Sequence, residues 1–291
     1  MTRRDSQPVP AHGLSSKAIE IEELTDVYFF RPAGLLIAHG ARVVGTTPIG
    51  LTMLGALVGI AGGALLYDQR LGLFGFALLI LHGIIDSADG QLARMTGQVT
   101  ELGRVLDGVG GYVTHIAIYV GITAGLLHRG APRTILLWAG LAALANVAQA
   151  QMYEFYRHHY KTIVTKRSLP LDNPDGINSA WIAWLYRGYL NIQRMSNGHH
   201  VEVESALASR LIEGVVREGD VTLYRQSFYG PVRGWNLLGD NTRFYAIGLL
   251  TLFHRIDLFF AFILLPMNLA LVGLWIWQRS ADRRFLARVF T

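Results

Sequence analysis

Three aspartates and an arginine, set at fixed intervals between apolar runs, are the residues of this 291-residue chain best placed to do chemistry. They lie in Asp86-Ser-Ala-Asp89-Gly90-Gln-Leu-Ala93-Arg94, followed eight residues later by Gly103-Arg-Val-Leu-Asp107. Asp86 and Asp89 are three apart and share a helical face, with Gly90 and Ala93 as small neighbours that permit a close approach. Asp107 comes from the next helix. Three carboxylates converging from two helices form a hard oxygen site suited to Mg²⁺ or Mn²⁺, the kind of ion that a phosphate-transfer site needs. Acids at a membrane edge are costly and mark functional sites. The plainer alternative makes these acids helix caps and ion-pair partners of Arg94 and Arg104, but capping requires neither the two glycines nor the Ala-Arg pair at these offsets.

The stretch resembles the signature of the CDP-alcohol phosphotransferase family, DxxDGxxAR, eight residues, then GxxxDxxxD. Asp86, Asp89, Gly90, Ala93, Arg94, Gly103 and Asp107 match it, and Gly111 stands where the family places a fourth aspartate. The resemblance implies a metal-dependent membrane enzyme that moves a phosphoryl-alcohol group, foremost a phosphatidyl group, from a CDP-linked donor to an acceptor hydroxyl and releases CMP. It implies Mg²⁺ or Mn²⁺ on Asp86, Asp89 and Asp107, with Arg94 facing phosphate through its planar fork of donors. Gly90, Ala93, Arg94, Gly103 and Thr52 are implied to line the nucleotide's place. CDP-diacylglycerol with a polar alcohol acceptor is the first expectation, in a homodimer embedded in membrane lipid. Pro48-Ile49-Gly50-Leu51-Thr52 resembles the family's Pro-Asn-x-x-Thr, with Ile49 in place of asparagine.

The family's fourth aspartate is thought to serve as general base, and Gly111 cannot. His82, one turn before Asp86, and His115, one turn after Gly111, are the candidate replacements, because histidine titrates near neutrality. A structural hydrogen bond between helices is the alternative for each. The rival to the whole reading is a divergent member that acts on another activated donor, or a non-catalytic binding or scaffold protein.

Membrane helices must position these groups. The chain is 51% hydrophobic and 16% charged, and its mean hydropathy is positive. Apolar stretches at 51–67, 71–85, 106–127, 134–152, 244–253 and 258–278 approach the ~20 residues of a spanning helix. Residues 241–278 as one helix would measure about 57 Å, too long for one span, so His254-Arg255-Ile256-Asp257 is taken as a break. The prediction is an all-α integral membrane protein with about six spans and an amino-terminal interfacial amphipathic helix over 35–44. Its parts are a tail and interfacial helix (1–45), four spans with the motif (46–157), an amphipathic insertion (158–240), and two spans with a basic tail (241–291).

Lys and Arg concentrate in segments that an internal amino terminus would place inside, whereas the opposite loops hold only Arg70, Arg129, Arg133 and Arg255. Both termini and the motif are therefore expected on the cytoplasmic side of a cell membrane, facing anionic lipid. No signal peptide is read at the start. Cysteine is absent, which excludes disulfide and thiolate chemistry. The net charge of +5 comes without a basic stripe interleaved with aromatics, so nucleic-acid binding is not expected. Residues 1–16 read as disordered, 177–195 as an interfacial helix, and 202–218 as a second amphipathic helix. The pairs His158-His159 and His199-His200 lack further ligands at metal spacing and are not read as a zinc site.

Overall fold

A computed structural model describes residues 19–170 and 199–290. The tail at 1–16 and the helix read at 177–195 fall outside the described residues. Elsewhere the chain is helical, with one isolated antiparallel bridge between Ile212 and Val215. The helices are α1 (Arg31–Val44), α2 (Pro48–Leu65), α3 (Gly72–Thr96), α4 (Glu101–His128), α5 (Ile135–Lys161), α6 (Glu218–Trp235), α7 (Asp240–Leu252), α8 (Phe259–Leu264) and α9 (Pro266–Val289).

Among the described residues five helical stretches are long and apolar enough to cross a bilayer: Pro48–Leu65, Gly72–Thr96, Glu101–His128, Ile135–Lys166 and Ile256–Val289. The all-α membrane class stands, and the span drawn fifth, at 244–253, is a short helix. This helix, α7, has 13 residues, about 20 Å of rise against the ~30 Å of a hydrocarbon core. The helix drawn at 202–218 is corrected. Residues 199–208 are helical, Glu213 and Gly214 then turn the chain with φ of 52° and 79°, and α6 begins at Glu218. The amphipathic period continued through that turn, and the positive-φ pair interrupts it.

The chain forms two compact units. One comprises Glu23–Gln151 with Leu237–Leu271, and the other the remaining described residues. In the first, α2 is the central helix against which α3 and α4 pack, because its inward stripe is built of small residues. A Cβ on Gly63 would come within 2.6 Å of the backbone of Ala117 and Ile118, and one on Gly121 within 2.1 Å of the Gly63 carbonyl. Backbones this close exclude any side chain, the small-residue packing by which membrane helices associate. The α1 helix enters through Pro32 near its start and lays Ala38 onto Leu51, Ile85, Ala88 and Leu92.

The second unit is aromatic and polar inside. His200 contacts Asp282 through Nδ1 at 2.9 Å and the Tyr224 hydroxyl through Nε2 at 3.0 Å, all of them buried. Burial, reinforced by the charges of Glu204 and Asp282, pushes the Tyr224 phenol well above its usual value. It therefore stays a neutral donor to the His200 ring, whose other nitrogen donates to Asp282. His159 pairs with Glu204 at 2.5 Å. Each doubled histidine thus contributes one member to the packing of this unit.

Candidate active site

The motif helices α3 and α4 are joined by a turn at Gly97, whose φ of 69° caps α3 through the Ala93 carbonyl. Thr100 then caps α4 by accepting from the Gly103 N–H at 3.0 Å. Gly103 thereby has a local structural task. This hairpin brings the Asp86 and Asp107 carboxyl groups close together, with Asp89 nearby. Asp86, Asp107 and Arg94 are exposed, whereas Asp89 and His82 are buried.

Asp89 is held from α2. The Thr52 hydroxyl donates to Asp89 Oδ2 at 2.5 Å and to the Pro48 carbonyl at 3.1 Å. Thr47, not Thr52, caps α2, by accepting from the Gly50 N–H at 3.1 Å. Thr52 thus serves the carboxylate cluster. Arg94 lies beside Gly90, where a Cβ would meet its guanidinium Nη1 at 3.4 Å.

Among the described residues no group of three or more His, Cys, Asp or Glu is gathered into a ready cage for an ion. The acids nevertheless suit the divalent ion that the resemblance implies. Two carboxyls held close together need a proton or a cation between them, and hard oxygens prefer Mg²⁺ or Mn²⁺.

The two histidines separate in role. His82 Nδ1 donates to the Gly55 carbonyl at 2.9 Å, which ties α3 to α2. His115 Nδ1 donates to the Gly111 carbonyl at 2.9 Å, and its Nε2 lies 3.4 Å from Asp240 Oδ1 on α7. The ring stacks on Phe244 of the same helix. Arg243 Nη1 also donates to Asp240 Oδ1, at 3.1 Å, and to the Leu238 carbonyl at 2.8 Å, while Nη2 reaches Gln149 Oε1 at 3.3 Å. Asp240 and Arg243 escaped the sequence reading because they fell at the drawn edge between insertion and span. The available signal was an Asp-x-x-Arg pair opening an apolar helix.

Residues 45–174 match the CDP-alcohol phosphatidyltransferase family. The matched segment contains α2 to α5, and with them Thr52, the three aspartates, Arg94 and both histidines. Asp240 and Arg243 lie beyond it. Enzymes of the CDP-alcohol phosphatidyltransferase family transfer phosphate-containing groups, which agrees with a cluster of carboxylates beside an exposed arginine. No curated protein and no solved structure matches the chain.

Proposed function

We propose that this protein transfers a phosphoryl-alcohol group from a CDP-linked donor to an acceptor hydroxyl at the cytoplasmic surface of a membrane, releasing CMP. The observation that carries the reading is the hydrogen bond by which Thr52 fixes Asp89, with Asp86 and Asp107 close by, inside the segment that matches the family. Asp86, Asp89 and Asp107 would hold Mg²⁺ or Mn²⁺, which neutralises diphosphate charge when bound. Arg94, exposed and next to Gly90, supplies further positive charge to a phosphate oxygen. Catalysis then consists mainly of positioning and charge neutralisation, as phosphoryl transfer generally requires.

The donor proposed is CDP-diacylglycerol and the acceptor a polar alcohol. Apolar side chains exposed along α5, among them Leu136, Leu137, Trp138, Leu141 and Leu144, favour a lipid setting for both enzyme and donor. The family resemblance extends the proposal to a homodimer. Gly111 favours one rival, a binding protein that keeps the pocket without turnover.

One assay separates the readings: CMP release by purified protein in lipid with Mg²⁺ or Mn²⁺, CDP-diacylglycerol and a panel of polar alcohols. Acceptor-dependent release that falls at least a hundredfold in Asp89→Ala is the expected result. Release from Gly111→Asp alone, with a silent wild type, would establish the binding-protein reading instead.

A further inference from the structure

We propose that Asp240, on α7 and outside the family segment, supplies the carboxylate that Gly111 lacks and receives the proton of the acceptor hydroxyl. This rests on the phosphotransfer reading of the same site. A Cβ on Gly111 would have nothing within 4 Å, so the position opens onto free space. The next turn of α4 carries His115, whose ring bonds back to the Gly111 carbonyl and contacts Asp240 on its other side. One imidazole therefore separates Asp240 from the place where the family's fourth carboxylate would begin.

His115 itself is poorly suited to take a proton. Its Nδ1–H is spent on the Gly111 carbonyl, and its Nε2 is buried beside Asp240, out of reach of an incoming hydroxyl. Its geometry makes it a positioning residue for Asp240. Arg243 does the same from within α7. It is 2% exposed, and its guanidinium is fixed by Leu238 and Gln149, the latter anchored to the Ile263 carbonyl at 3.1 Å and to Asn268 Oδ1 at 2.8 Å. Burying an arginine is expensive unless it is paired, and here the pairing immobilises one oxygen of one aspartate.

The contacts from His115 and Arg243 both fall on Oδ1. Among the described residues nothing pairs with Oδ2, and 57% of the Asp240 side chain is accessible. An acid in the first turn of a helix is common because the helix dipole favours it. That reading explains neither the buried arginine nor the histidine from another helix. The α7 helix packs against α3, which carries Asp86 and Asp89.

In the step assigned to it, the acceptor oxygen bonds to the phosphorus of the donor's phosphoryl-alcohol half as its O–H bond breaks. The phosphorus–oxygen bond to CMP breaks with the electron pair leaving on CMP. The proton passes to Asp240 Oδ2 and then to water. An aspartate carboxylate is strong enough for this task, since protein kinases use one to accept the substrate hydroxyl proton.

The test compares wild type, Asp240→Asn and the double variant Asp240→Asn/Gly111→Asp in the CMP-release assay, with CDP binding measured separately by thermal shift in Mg²⁺. Asp240→Asn should keep CDP binding and lose about a hundredfold or more of acceptor-dependent release. Returning a carboxylate at position 111 should recover at least tenfold of that loss. Release from Asp240→Asn within threefold of wild type overturns the proposal, as does a loss that Gly111→Asp fails to rescue while CDP still binds. Should Asp240→Asn lose CDP binding too, the double variant decides, recovery supporting the proposal and its failure opposing it. A wild type silent with every acceptor fails the phosphotransfer reading itself and takes this role with it.

Discussion

At the scale of single residues, the contact between Thr52 and Asp89 is the one whose removal is most informative. A buried carboxylate that loses its hydroxyl donor carries a penalty of about 1–3 kcal/mol. Thr52→Val preserves shape and should reduce CMP release about tenfold or more, with a smaller loss of thermal stability in detergent. An unchanged rate would return Thr52 to a packing role. The three aspartates and Arg94 were legible in the sequence because their spacing is fixed on helices, where an offset of three or four residues sets a shared face. Thr52 was legible only as a candidate, since capping and side-chain contact use the same hydroxyl, and the structure assigns the cap to Thr47. Asp240 was not legible at all. Its meaning depends on His115, 125 positions earlier, and on Arg243 being buried, neither of which any local pattern carries.

At the scale of elements, the motif helices owe their registration to glycine. Gly121→Ala drives a methyl to 2.1 Å from the Gly63 carbonyl, so α2 and α4 must separate. The cost should be about 2 kcal/mol or more, read as a lower melting temperature together with reduced CMP release, because α4 carries Asp107. Gly40→Ala, which meets nothing within 4 Å, serves as the control and should leave both unchanged. Hydropathy located the long helices well, since a twenty-residue apolar run has few alternatives in lipid. It set the start of α7 four residues late, because that helix opens on a charged pair, and periodicity failed at residues 202–218, where it ran through a positive-φ turn.

At the scale of the whole molecule, α7 determines how the crossings are counted. Its first turn stands beside His115, and past its last turn the His254 carbonyl accepts from Gln69 Nε2 at 2.6 Å, Gln69 lying between α2 and α3. Within its unit, α7 therefore runs from near the carboxylates to the opposite ends of the motif helices. Counted as a shortened crossing, it makes six, and reporter fusions at the two termini should report the same cytoplasmic side. Opposite sides would mean that α7 does not cross. A helix of about 20 Å in a hydrocarbon layer of about 30 Å leaves some 10 Å to be made up by lipid deformation or by water. If water fills it on the side where α7 begins, Asp240 lies at the foot of a wet inlet. On the proposed reading, the acceptor alcohol then enters from the aqueous phase while a lipid donor stays in the bilayer, and the proton released in each turnover leaves by the way the alcohol came in.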